Sequence, residues 1–382
     1  MKSVFWVVFV IAGFAVGLLA WTPRREESAR QQTPINAKDN SAAETAKDQA
    51  LTKKDEPAPV KEPATYRGKP ANHWIKQLED RDERQRAEAA KALAALGPDA
   101  EAGIPALAYA LRDPRKQVRA EAAEALAKIG PPAIPALTTA LRDRDQHLQM
   151  LAGAALSGIG PAAIPVLKEA LRDKDPHTQT MAVSALALIR PEGILVLTDA
   201  VKSGDRNRRL VAVAALAEVG PDAKDAVSAL AEALKEPGID QLAAKALSRI
   251  GPPAIPALAK ALRSRDQNIV LMATAALYGI GQPAVPTLAD ALKEKDLYTV
   301  TVAASVLVKL DEEAAIQALI GALKHEDNGV RILAAGSLAN LGPRAKRAIP
   351  ALIEATKDEN KAVQMMATSA LANIQTKAAG GR

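Results

Sequence analysis

Pro131–Asp143 reads PPAIPALTTALRD, and Pro252–Ser264 reads PPAIPALAKALRS. A proline near the start of each stretch suits the first turn of a helix, where its missing N–H would be unpaired anyway. A second kind of stretch alternates with the first, as in RDPRKQVRAEAAEALAKIG over Arg112–Gly130. It opens on an aspartate able to accept hydrogen bonds from the free amides of a helix N-terminus, and it closes on a glycine that tolerates the left-handed conformation. Gly-Pro recurs at Gly97-Pro98, Gly130-Pro131, Gly160-Pro161, Gly220-Pro221, Gly251-Pro252 and Gly342-Pro343, with Gly281-Gln282-Pro283 and Arg190-Pro191 as variants. Most of these lie 30 or 31 residues apart, or a multiple of that. A period in this range is the signature of stacked helical pairs.

Aligning the second helices exposes three columns. A leucine stands near the end of each: Leu93, Leu126, Leu156, Leu186, Leu216, Leu247, Leu277, Leu307, Leu338 and Leu371. Four residues earlier there is always an alanine: Ala89, Ala122, Ala152, Ala182, Ala212, Ala243, Ala273, Ala303, Ala334 and Ala367. The third column runs from Leu96 and Ile129 to Leu341 and Ile374. Residues spaced this way share one helical face, so the large side chains fill the space between layers while alanine lets helices approach closely. Asp113, Asp145, Asp175, Asp205, Asp266, Asp296 and Asp327 occupy the expected N-cap positions.

The pattern GPxAIPALxxALRDxDxxVRxxAAxALxxIG resembles the HEAT repeat superfamily, and within it the short HEAT-like repeat first named from phycobilin lyases. The resemblance covers nearly everything after residue 65 and implies a fold, not an activity. It departs from the pattern where Ile194-Leu195 and Ile316-Gln317 replace Ile-Pro, and where Arg190 and Asp311 stand in place of glycine. These departures predict looser corners.

Composition agrees with a helical stack. Of 382 residues, 48% are apolar but only 3% aromatic, so alanine and leucine supply the packing. The absence of cysteine excludes disulfides, thiolate metal sites and cysteine nucleophiles. A net charge of +6, with basic and acidic residues alternating in turns such as LRDRD and LKEKD, reads as a solvated rim and not as a phosphate-binding surface.

Two segments precede the repeats. Val4–Trp21 is an uncharged apolar run long enough to cross a hydrocarbon core of ~30 Å. It reads as a signal-anchor over residues 1–21, or alternatively as a cleaved export signal. Both readings place the body outside the cytoplasm, either held on the extracytoplasmic side of a membrane or released as a secreted or periplasmic protein. Residues 22–65 are polar, with Ile35, Leu51 and Val60 as the only Val, Ile or Leu, and predict a disordered linker.

Candidate chemistry is sparse. His325-Glu326 is a single His-Glu dyad, whereas the di-iron hydroxylases with HEAT-like pairs need several. His147 and His177 occupy one column in adjacent repeats, but no third ligand stands nearby except the capping Asp145 and Asp175. No cluster of basic and aromatic residues suits a bound tetrapyrrole. Neither cofactor nor metal is expected. What remains is the face of the second helices opposite the leucine seam, which carries few charges in its middle layers. Its candidate binding residues are Met150, Thr180, Leu210, Leu271, Thr274, Tyr278, Tyr298 and Thr301, the two tyrosines as anchors. Close packing between neighbours would also place small residues there.

These observations predict an all-α, right-handed α-solenoid of about ten helical pairs over residues 66–382, behind an N-terminal hydrophobic helix and a disordered linker. Trp74 would cap the first layer, and the polar last helix the other end. The function expected is a non-enzymatic scaffold, tethered to a membrane, that presents a concave groove to a protein partner. The alternative is an enzyme or enzyme subunit of lyase or hydroxylase type with a ligand in the curve. Neither nucleic acid nor a small-molecule substrate is expected.

Overall fold

The computed structural model describes residues 64–379. Among them the elements fall into pairs of helices, and the chain divides into two units at the junction of Ala133 and Ile134.

In the first unit a two-residue hairpin, β1 (Thr65–Tyr66) and β2 (Lys69–Pro70), precedes α1 (Ala71–Gln77), α2 (Glu83–Leu96), α3 (Ile104–Ala110) and α4 (Lys116–Ile129). Trp74 of α1 is buried beneath the hairpin. Its indole N–H donates to the Lys69 carbonyl at 3.2 Å, and Tyr66 stands edge-on at 5.7 Å. Behind it Leu93, Leu107 and Leu126 are wholly buried.

The second unit comprises α5 (Ile134–Leu141), α6 (Gln146–Ile159), α7 (Ile164–Ala170), α8 (Pro176–Leu188), α9 (Glu192–Val201) and α10 (Arg206–Val219). It continues through α11 (Val227–Ala233), α12 (Asp240–Ile250), α13 (Ile255–Ala261), α14 (Gln267–Ile280) and α15 (Val285–Ala291). It ends with α16 (Leu297–Leu310), α17 (Glu312–Ala322), α18 (Asn328–Leu341), α19 (Ile349–Ala355) and α20 (Lys361–Ala379). Odd-numbered helices are the first of each pair and even-numbered helices the second.

Many of the first helices have only seven residues, too few to hold together in water. Each instead buries a leucine completely: Leu137, Leu167, Leu197, Leu230, Leu258, Leu288, Leu319 and Leu352 in the second unit. Full burial of a leucine contributes ~1.5–3 kcal/mol, so packing and not propensity stabilises these elements. The stretch predicted as one helix from Pro131 is divided, with a 3-10 turn over Pro131–Ala133 before α5 begins at Ile134. The Gly-Pro prolines thus open the turn, and the Ile-Pro prolines open the helix.

The predicted seam is present. The leucine column is fully buried from Leu93 to Leu338, and Leu371, with no further pair against it among the described residues, is half-buried. Asp145, Asp175, Asp205, Asp266, Asp296 and Asp327 cap their helices as predicted. Asp113 does not. Arg115 holds the cap position of α4, and Asp113 stands two residues earlier, accepting the Arg115 N–H at 2.8 Å and clamping Arg86 of the preceding pair at 2.7 and 3.1 Å. The same device recurs at Arg331 of α18. Its guanidinium donates to the His325 carbonyl at 2.8 Å and to Asp358 of the next turn at 2.9 Å. At Asp311, where the closing glycine is missing, one residue ends α16 and caps α17, accepting from the Ala314 N–H at 2.9 Å.

One expectation is corrected. No helix among the described residues is long and apolar enough to cross a membrane. The longest, α20, has 19 residues but carries Lys361, Gln364, Asn373, Gln375 and Lys377, each costly in hydrocarbon. The N-terminal hydrophobic helix in the expected fold, the single-pass anchor and the membrane or extracytoplasmic placement built on it are therefore withdrawn. Val4–Trp21 lies outside the described residues, as does nearly all of the expected linker.

Candidate protein-binding groove

The second helices position the candidate residues, all of which lie on them. Along the candidate face the structure separates what the sequence pattern aligned. Helix α8 is buried almost all round: Thr180, Val183, Ser184 and Ala187 are each less than a tenth exposed. Helices α6, α7, α9 and α10 all pack against it. The hydroxyls of Thr180 and Ser184 turn back onto the Pro176 and Thr180 carbonyls at 2.8 and 2.9 Å, so neither offers a polar group outward. In α10 Val213, Ala214 and Ala217 are buried as well. Met150 and Leu210 are half-buried.

The face opens at α14 and α16. Leu271 and Tyr278 are 42% and 49% exposed, large values for side chains of their size. They line a cleft of about 200 Å³ with Thr274 and Ala275 on one wall and Val302, Val306 and Lys309 on the other. Thr274 forms part of the floor and is buried, its hydroxyl donating to the Val270 carbonyl at 2.7 Å. Thr301 is exposed beside the cleft, its hydroxyl tied to the Leu297 carbonyl. Tyr298 is half-buried and not among the lining residues. The structure thus brings Leu271, Thr274 and Tyr278 together. It sets Met150, Thr180 and Leu210 apart from them, in other layers.

Three lining residues were missed by the sequence reading: Val302, Val306 and Lys309. Residues 302, 306 and 309 keep the three- and four-residue spacing of one helical face, which was the available signal. They lie one position along from the aligned Thr301 and Ser305, because a cleft between two helices is walled by the flank of each.

The histidines are occupied by the turns. The His325 Nε2 meets the Lys293 carbonyl at 3.2 Å, and its Nδ1 accepts the Asp327 N–H at 3.0 Å, so the ring replaces the carboxylate found at this place in other turns. Its neighbour Glu326 pairs with Lys295 at 2.7 Å, which holds that carboxyl below its ordinary range. His147 and His177 follow the caps of α6 and α8, each donating its backbone N–H to the capping aspartate. No group of three or more His, Asp or Glu among the described residues is placed to hold a metal ion.

Asp175 has the most perturbed carboxyl. Partial burial raises its pKa, but hydrogen bonds from the Thr178 hydroxyl and the Gln149 amide, with the backbone N–H groups of Thr178 and His177, outweigh that and leave it at about 2. Gln149 belongs to the preceding pair, so this is a joint between layers and not a reactive acid. Glu121 is shifted the opposite way, raised by burial and by Glu124.

Comparison with known proteins follows the same line. A crystal structure of an engineered protein is 24% identical, with a TM-score of 0.31, over 80% of this chain and 99% of that one. The karyopherin Kap121p bound to the extreme C-terminus of the protein phosphatase Cdc14p is 14% identical, with a TM-score of 0.40, over 80% of this chain and 41% of that one. Kap121p bound to Nup53p gives 14%, 0.39, 79% and 41%. This chain spans well under half of the karyopherin, and none of these likenesses carries a functional argument. No curated protein matches the sequence. The profile of HEAT repeats matches residues 71–157, 134–216, 194–278, 255–339 and 316–380, leaving the phycobilin-lyase subtype unaddressed. Over nearly the whole of its described length, then, this chain belongs to the HEAT repeat family.

Proposed function

We propose that this protein is a non-enzymatic scaffold that takes a segment of a protein partner into the cleft between α14 and α16. The observation that carries the reading is that two exposed large apolar side chains, Leu271 and Tyr278, stand together on one apolar cleft, whereas the six others exposed among the described residues are outside it. An apolar patch of this kind, rimmed by polar residues, is what binding surfaces present. Tyrosine is a favoured anchor because it supplies area and a hydroxyl at low entropic cost. The seven-residue first helices are fixed by buried leucines, so the cleft is preformed and binding costs little ordering.

The test places charge in the cleft. Ala275→Glu with Thr301→Asp changes two exposed positions. A photo-crosslinking residue at position 278 should give discrete protein adducts in an extract of the protein's own cells, and the double substitution should abolish them. Helicity by circular dichroism and the melting temperature should stay as in the unsubstituted chain. Loss of helicity in the double variant would mean the face is core, and adducts that persist would mean the cleft is not where partners sit.

A further inference from the structure

Resting on the cleft reading above, we propose that its occupant is an acidic segment of a partner protein, setting aliphatic or aromatic side chains on Leu271, Tyr278 and Val302 and turning carboxylates toward Lys309 and Lys245. Three observations carry this. The only charged residue lining the cleft is Lys309. Across the described side chains of α12, α14, α16, α18 and α20 the only carboxylate is Asp240, and it is buried, accepting from the Asn268 amide at 2.8 Å and the Gly238 N–H at 3.0 Å. This whole series of second helices therefore offers no acid to a ligand.

Lys245 holds in α12 the place that Ala275 holds in α14, thirty residues on, and both are exposed. Helices α12 and α14 pack together, and Gly279 approaches Ser248 so closely that an added Cβ would fall 2.1 Å from its hydroxyl. Several lysines in the turns are paired, Lys235 with Glu232 at 2.6 Å, Lys293 with Asp290 at 2.7 Å and Lys295 with Glu326 at 2.7 Å. Lys245 and Lys309 form no ion pair among the described residues. In the first unit the second helices differ in carrying exposed or half-buried acids as well as bases, Glu88, Glu121 and Glu124 among Lys91 and Lys128. With no exposed acid on the second helices from α12 to α20, Lys245 and Lys309 are left uncancelled on that face, in a chain whose net charge is mild.

The chain's own residues 22–64 are a poorer occupant. They hold eight basic and eight acidic residues with three scattered large aliphatics, giving neither an acidic excess nor an apolar cluster. A polyanion such as single-stranded nucleic acid could stack a base on Tyr278 but would leave the aliphatic lining of Leu271, Val302 and Val306 unused.

The experiment is selection of short random peptides displayed on phage by the full chain, with the Ala275→Glu variant as counter-selection. The peptides that survive should combine aliphatic or aromatic residues with a net negative charge. The best of them, labelled and titrated by fluorescence anisotropy, should bind the Lys245→Glu, Lys309→Glu double variant at least about tenfold more weakly, while the melting temperature stays unchanged. Its affinity should also fall as salt is raised. Cleft-dependent peptides of neutral or positive charge would overturn the acidic occupant and leave the cleft reading standing, whereas labelled single-stranded DNA bound more tightly than any peptide would overturn both. If no peptide depends on Ala275, the cleft reading fails, and this inference with it.

Discussion

The turn between the two helices of a pair carries more of the structural chemistry than the helices do. At Asp175 one oxygen gathers the Thr178 N–H at 3.0 Å, the Thr178 hydroxyl at 2.7 Å and the Gln149 amide at 3.0 Å. A carboxyl depressed to about 2 contributes stability that is whole above its unfolded pKa, near 4, and is lost as the pH falls through the folded value. Asn can cap a helix but cannot supply the charge. Asp175→Asn should therefore lower stability by about 1 kcal/mol at neutral pH, well below the full linkage value because the residue is partly open to solvent. The difference between the two proteins should shrink between about pH 4 and pH 2. Urea unfolding at several pH values measures it, and a difference independent of pH would show that the charge does not matter.

At the scale of helices, the arginine near the start of a second helix ties one pair to the next. Arg331 and Asp358 have side chains only 7% and 12% exposed, and each shifts the other toward its charged form, the arginine's pKa upward and the aspartate's downward. Arg331→Ala leaves Asp358 without its partner in a poorly solvated joint and should cost ~3–5 kcal/mol. Lys295→Ala, which breaks an exposed pair with Glu326, should cost far less. Chemical denaturation of both variants makes the comparison. Similar losses would mean that burial of the joint is not what gives it strength.

For the molecule as a whole, each layer of a solenoid is held only by its neighbours, so stability varies along the stack. Within the second unit α8 is enclosed by α6, α7, α9 and α10, whereas α20 closes the series with Leu371 half-buried and Met365 74% exposed. Hydrogen exchange followed by mass spectrometry should find the slowest amides in α8 and the fastest in α20. Uniform protection across the unit would show that it opens all at once. The open cleft at α14 and α16 lies between these two in chain order, so its amides should exchange at intermediate rates.

The period, the leucine and alanine columns and six of the seven predicted aspartate caps were legible in the amino-acid sequence, because helix formation and capping depend on residues three or four apart. The pairing of Arg86 with Asp113 and of Arg331 with Asp358 was not, since the partners lie 27 residues apart and meet only when layers stack. The candidate face shows the same divide. Thr180 and Thr301 occupy one column of the alignment, yet Thr180 is buried and Thr301 exposed. Sequence determined which face of each second helix is free of the leucine seam. Tertiary structure decided where that face is closed by neighbouring helices and where it stays open, because how closely one layer approaches the next is set by packing summed over every contact between them.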